Sequence, residues 1–221
     1  MDKEQEKFIQ ERINYQFDNV DLLHQAFTKN SFAKENRCES NENLELIGDS
    51  ILYMYVTKYL TDRFGYLKSD YNDEFDYGKD WDEYCMENNY DQADLTKIRQ
   101  NLIERDYLAT RIDKMGIKDY LYLGKGDAKK HEENTIKVKC DLFEAILGAI
   151  AIDSGWDQEA LQNSVEFMLD IDKFLQQNLD SDDNYMMLLQ QWNQKEYGVP
   201  PKYEVVRNND GTLTAYVEIE K

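Results

Sequence analysis

The sequence predicts a mainly α protein, with an all-α body over residues 1–178 and a small α+β segment over residues 183–221. Three observations carry this. Both prolines sit together at Pro200 and Pro201, so the long stretch before them holds no helix breaker. Apolar residues recur at helical spacing in segment after segment. After the polar stretch Leu179 to Asn184 (LDSDDN), which reads as a linker, the spacing changes to alternation.

In chain order, Phe8, Ile9 and Ile13 mark a first helix, and Leu22, Leu23 and Phe27 a second. Leu44, Ile47, Ile51, Leu52 and Val56 place a longer helix over Asn41 to Leu60. Leu95, Ile98, Leu102 and Ile103 mark a central helix, and Leu142, Ile146, Ala149 and Ile150 one over Cys140 to Ser154. Tyr185 to Glu196 reads as an amphipathic helix ended by Gly198-Val199-Pro200-Pro201. Tyr203 to Arg207 and Leu213 to Ile219 then alternate about Asn208-Asn209-Asp210-Gly211, a β-hairpin whose Asp-Gly supplies the positive-φ turn residues.

Composition bounds the function. The 221 residues include 45 acidic and 26 basic side chains, a net charge of −19. This excess argues against a membrane surface or bulk coating of nucleic acid, but metal ions or a local basic patch can reverse the sign at one site. The longest apolar run, Ala145 to Ile152, is far shorter than the roughly 20 residues of a membrane span. The start, MDKEQEKFIQ, has no apolar signal-peptide core. Cys38, Cys85 and Cys140 are widely spaced and odd in number, which favours a reducing, cytoplasmic setting over a disulfide framework or zinc knuckle. Lys68 to Asp94 carries ten acids against Lys68 and Lys79 and reads as an acidic surface insertion over residues 68–91.

Two helices carry the chemistry. In NENLELIGDSIL, Glu42, Glu45 and Asp49 are spaced i, i+3, i+7, within about 60° of one helix face. In CDLFEAILGAIAIDS, Asp141 and Glu144 share a face of a helix so apolar that it must be buried. Acids on a buried helix are costly unless paired or metal-bound. If the helices cross at Gly48 and Gly148, Glu45, Asp49, Asp141 and Glu144 converge, and four carboxylates cannot all stay ionised without cations. Oxygen-only ligands select Mg²⁺ or Mn²⁺, and such clusters support two-metal hydrolysis of phosphodiesters, with a metal-activated water attacking in line.

NENLELIGDSIL resembles the ribonuclease III family signature E-R-L-E-F-L-G-D-S-V-L. CDLFEAILGAIAIDSG resembles that family's second motif, A-D-x-F-E-A-L-I-G-A-I-Y-L-D. INYQFDNVDLLHQAFTKNSF, DLTKIRQNLI and YLYLGKGD add matches in family order, covering about residues 5–65 and 92–175. The resemblance implies an all-α endonuclease domain over 1–178 and Mg²⁺-dependent cleavage of double-stranded RNA, with Mn²⁺ able to substitute. It further implies a homodimer that leaves 5′-phosphate and 3′-hydroxyl ends. It places Glu45, Asp49, Asp141 and Glu144 as metal ligands, Asp49 and Glu144 among them as catalytic, and Glu42 and Leu46 at the dimer interface. Leu46 stands where the family usually has Phe, and the smaller plug loses on the order of 1 kcal/mol. Asn43 replaces the usual Arg, Gln92 stands where many members have an acid, and the acidic insertion is longer than usual.

Lys125, Lys129, Lys130, Lys137 and Lys139 form the notable basic cluster, expected to contact RNA phosphates. The tail YMMLLQQWNQKEYGVPPKYEVV resembles the first helix and strand of a double-stranded-RNA-binding domain. With seven acids against four bases over Asp182 to Lys221, and no basic final helix, 183–221 reads as an incomplete domain. Two other functions compete: a non-catalytic RNA-binding or ribosome-associated member of the fold, and an all-α nucleotide pyrophosphohydrolase. The latter uses acid pairs much closer in sequence than Glu45 and Asp141.

Overall fold

The computed structural model describes residues 1–64, 92–178, 192–193, 201–207 and 213–218. The acidic segment 68–91 lies outside them, as do the turn 208–211 and, except for Trp192 and Asn193, the helix expected over Tyr185 to Glu196. The described residues form α1 (Lys3–Ile13), α2 (Val20–Ala26), α3 (Asn30–Asn36), α4 (Glu42–Phe64), α5 (Gln92–Leu102), α6 (Arg105–Met115), α7 (Lys125–Lys129), α8 (Ile136–Asp153), α9 (Gln158–Leu169) and α10 (Ile171–Asn178). Strands β1 (Lys202–Arg207) and β2 (Leu213–Glu218) follow, paired antiparallel from Lys202 opposite Glu218 to Arg207 opposite Leu213. The chain is mainly α, as its spacing predicts, and the two strands expected of the hairpin are present and paired. No described helix is long and apolar enough to cross a membrane.

The helix starts follow ordinary capping chemistry. Asp2 accepts from the Glu4 and Gln5 amides while the Gln5 side chain accepts from the Asp2 amide, a capping box that fixes α1. The Thr135 hydroxyl accepts from the Val138 amide, so α8 begins at Ile136, a turn before the expected Cys140. From there α8 buries Leu142, Phe143, Ala145, Ile146, Leu147, Ala149, Ile150 and Ala151, and it packs against α2, α4, α6 and α9. An apolar face this wide suits only a helix surrounded by others.

The crossing of α4 and α8 is set by glycine. A Cβ on Gly48 would sit 1.7 Å from the Glu144 carbonyl oxygen, and one on Gly148 would sit 2.0 Å from that of Leu44. Gly48 thus faces Glu144 and Gly148 faces Leu44, so the helices cross in opposite senses with their backbones touching. Polar side chains fasten the remaining helices to this pair. The Asp153 carboxylate, at the end of α8, accepts from the Tyr15 hydroxyl at 2.9 Å and from the Asp18 and Asn19 amides at 3.0 and 2.8 Å. On α6, Arg111 donates to the Met168 carbonyl at 2.7 Å and Tyr107 to that of Leu169 at 2.6 Å. These satisfy carbonyls that the C-terminus of α9 leaves without helical partners.

Gly148→Ala should therefore destabilise the fold at the upper end of the roughly 1–3 kcal/mol typical of overpacking, because backbone rather than a flexible side chain must yield. A thermal midpoint lower by about 6–12 °C is expected. An unchanged midpoint would show that the helices separate at little cost.

Candidate metal centre

The glycine contact places the acids. Glu144 is itself the residue against Gly48, Glu45 follows Leu44 on the facing helix, and Asp141 precedes Glu144 by one turn of α8. Carboxylate oxygens of Glu45, Asp141 and Glu144 lie within 4.8 Å of one another. All three side chains are partly buried. Asp49 is exposed one turn further along α4 and stands outside this triplet, although its charge is felt by Glu144.

The electrostatics record the strain of this convergence. Burial is the largest cause raising Glu144, which is pushed up to about 7, with the charges of Asp49, Glu45 and Asp141 adding to it. The Cys140 thiol, donating to Glu144 Oε1 at 3.3 Å, opposes the rise. Glu45 is raised by burial and then by Asp141. Asp141 is raised by burial, against the pull of Lys137, Arg105 and Lys29. No ion pair is formed by any of the three among the described residues. Close, half-buried oxygens without a protein cation fit a hard divalent ion, whose ligands are carboxylates and water.

The other expected site residues separate into two groups. Lys125, Lys129, Lys130 and Lys137 are exposed. Lys139 is not available to a ligand: it is 8% exposed and its ammonium is bonded to Asp113 at 2.6 Å, with Lys118 on the same carboxylate at 3.2 Å. The expectation that Lys139 contacts RNA is corrected accordingly. Spacing hid this, because Lys137 and Lys139 lie about 200° apart around α8 and face opposite ways. Glu42 is exposed and accepts from the Asn30 amide group at 2.6 Å. Leu46 is 70% exposed, and Tyr53 and Met54 continue an exposed stripe along α4. Arg105, whose charge reaches Glu45 and Asp141, was not singled out from the sequence. A lone arginine at the start of a helix carries no motif.

In sequence and in fold the chain is similar to ribonucleases III. A family model described as ribonuclease-III-like matches residues 19–169. A ribonuclease 3 of Roseburia hominis is 42% identical over 201 residues, 91% of this chain and 56% of that protein. One of Treponema succinifaciens is 37% identical over 173 residues, 78% of this chain and 43% of that protein. The chain thus spans about half the length of these two relatives. A ribonuclease 3 of Protochlamydia amoebophila is 30% identical over 208 residues, 91% of this chain and 73% of that protein. The nuclease domain of ribonuclease III from Campylobacter jejuni shares the fold, with a TM-score of 0.56 and 22% identity, covering 79% of this chain and 97% of that domain.

The raised carboxylates predict a linked pH dependence. A carboxyl whose folded value is raised to about 7 stabilises the fold below its ordinary value of 4.5, and that contribution is lost as pH rises through about 7. In EDTA, Glu144→Gln should therefore raise the thermal midpoint more at about pH 8 than at about pH 5.5. Conversely, Mn²⁺ should stabilise the unmodified protein more at the higher pH, where the ligands are ionised. Equal effects at the two pH values would show that Glu144 is not held in this environment.

Proposed function

This chain belongs to the ribonuclease III family, and from that premise we propose that it is a divalent-metal-dependent endoribonuclease that cleaves double-stranded RNA. The observation that carries the reading is the oxygen triplet of Glu45, Asp141 and Glu144, formed where two glycines let α4 and α8 touch. Family membership sets aside the nucleotide pyrophosphohydrolase alternative. A non-catalytic member would have no need to hold three unpaired carboxylates together.

Glu45, Asp141 and Glu144 would hold the ion, and Asp49, one turn along α4, would serve a second ion. When bound, Mg²⁺, with Mn²⁺ as substitute, supplies Lewis acidity toward the phosphodiester and lowers the pKa of the attacking water. The residues do the positioning. The α4–α8 contact keeps the carboxylates from spreading apart. The Cys140 thiol holds one oxygen of Glu144 and leaves the other free. Lys125, Lys129, Lys130 and Lys137 are exposed to take backbone phosphates, which dominate affinity for nucleic acid. Water attack at phosphorus with departure of the 3′ oxygen leaves 5′-phosphate and 3′-hydroxyl ends.

A homodimer would let each subunit cut one strand. A second solved structure of the Campylobacter jejuni nuclease domain, with a TM-score of 0.57 and 21% identity over 78% of this chain and 97% of that one, is described by flexibility in a region involved in dimer formation. Here the exposed stripe Leu46, Tyr53 and Met54 is the apolar surface that suits such a contact. Glu42 lies at its start.

Two measurements test the proposal. Glu144→Gln keeps the shape and removes a charged ligand, so single-turnover cleavage of labelled duplex RNA in Mg²⁺ should fall by at least about a thousandfold, on the order of 4 kcal/mol, while RNA still binds. Near-normal cleavage would refute the assignment. In sedimentation, the unmodified chain should dimerise at tens of micromolar and Leu46→Asp should be monomeric. A monomer in both cases would remove the paired cut.

A further inference from the structure

The three carboxylates of the metal centre differ in what they touch. Among the described residues neither Glu45 nor Asp141 accepts a hydrogen bond from another side chain, whereas Glu144 Oε1 accepts from the Cys140 thiol at 3.3 Å. Cys140 and Glu144 are one turn apart on α8, so the bond runs along a single helix face. Cys140 is 3% exposed, and water does not compete for its thiol. The backbone of Glu144 is fixed as well, because its carbonyl lies against Gly48 of α4. The freedom left to Glu144 is in its side chain, and the thiol ties one of its two oxygens. In A-D-x-F-E-A, the motif that CDLFEA resembles, alanine stands where this chain has Cys140. The tie therefore belongs to this chain and not to the motif.

The number of oxygens a carboxylate can offer bears on which ion it holds. Ca²⁺ gathers roughly six to eight oxygens in flexible geometry and readily takes both oxygens of one carboxylate. Mg²⁺ is smaller, holds close to an octahedron and keeps several waters, so single oxygens from a few carboxylates suffice. The cluster offers one oxygen from each of Glu45, Asp141 and Glu144 within 4.8 Å. An ion that grips Glu144 through both oxygens must share Oε1 with the thiol, whereas one that takes a single oxygen need not. We propose that Cys140 is a specificity-determining residue of the metal centre, which by occupying Oε1 keeps Glu144 a single-oxygen ligand and so favours Mg²⁺ over Ca²⁺. The inference rests on the divalent-metal reading above and adds to it the residue that sets the choice of ion.

The test uses the full chain with Cys140→Ala, Cys140→Val and Cys140→Ser. Mn²⁺ binding is followed by water-proton relaxation, and the bound Mn²⁺ is displaced by Mg²⁺ or by Ca²⁺ at one pH. The ratio of the two displacement constants reads the preference without reference to cleavage. Cys140→Ala, which places the motif's own residue there, should shift this ratio toward Ca²⁺ by at least about tenfold, the scale on which groups behind a metal ligand act. Cys140→Val, which keeps bulk without a donor, should shift it in the same direction. Cys140→Ser keeps a donor and should stay near the unmodified ratio. If the variants without a donor keep the unmodified ratio, or move it toward Mg²⁺, the inference is wrong. It is equally wrong if Cys140→Ser shifts as far as Cys140→Ala, since the hydrogen bond would then not be the cause. An unmodified chain that binds none of the three ions, or binds them equally well with Glu144→Gln, would overturn the metal centre and this inference together. Binding that depends on Glu144, with a ratio indifferent to Cys140, would overturn this inference alone.

Discussion

The backbone contact between α4 and α8 is the constraint on which the rest of the structure depends. Two glycines, each opposite a carbonyl of the other helix, remove the side chains that would hold the axes apart. Helices ordinarily pack 8–10 Å apart because side chains stand between them. Once that layer is gone, residues adjoining the contact are forced together whatever their charge. Glu144 sits at the contact and Glu45 beside it, so their repulsion is imposed by packing rather than chosen by the carboxylates. The apolar face of α8, buried against four other helices, supplies the free energy that holds them there.

The acids of this chain sort by what that packing does to them. Asp113 lies between Lys139 and Lys118, and Asp172 accepts from Tyr59 and Arg63; each is held below the ordinary carboxylate range despite the opposing effect of burial. Those are structural acids, satisfied by protein donors. Glu45, Asp141 and Glu144 move the other way, because burial raises them and the nearby cations do not reach bonding distance. The sign of the displacement therefore separates acids satisfied by protein donors from acids that packing buries and crowds together. Asp153 belongs with the first kind by its contacts, three donors converging on one carboxylate.

The same logic applies to the cations. Lys139 looks, by spacing, like one more member of a basic strip, and the fold turns it inward to neutralise Asp113. Arg105 looks unremarkable in sequence, and the fold brings its charge to bear on Glu45 and Asp141. Along α4 the division is by face. Leu44, Ile51, Leu52 and Val56 enter the core, while Leu46, Tyr53 and Met54 remain outside as apolar surface. An apolar residue in a helical pattern identifies a helix, but its direction around the axis decides whether it stabilises the subunit or offers itself to another molecule.

By itself the sequence determined the helical class, the hairpin and the acids worth attention, because periodicity and the near absence of proline act locally and leave a local trace. Gly48 and Gly148 beside i, i+3 acid pairs were legible for the same reason; the convergence expected from them was of four acids, Glu45, Asp49, Asp141 and Glu144, of which three come together. What only the tertiary structure decided was which charges meet. Helix α8 starts at Ile136 because Thr135 caps it, which sends Lys139 to Asp113 and Lys137 to solvent. Asp49 stands outside the triplet although it shares a motif with Glu45, and Arg105 stands near it although it shares none. Charge interactions depend on distance through space, with no period along the chain to reveal them, so they became readable only when the helices were in place.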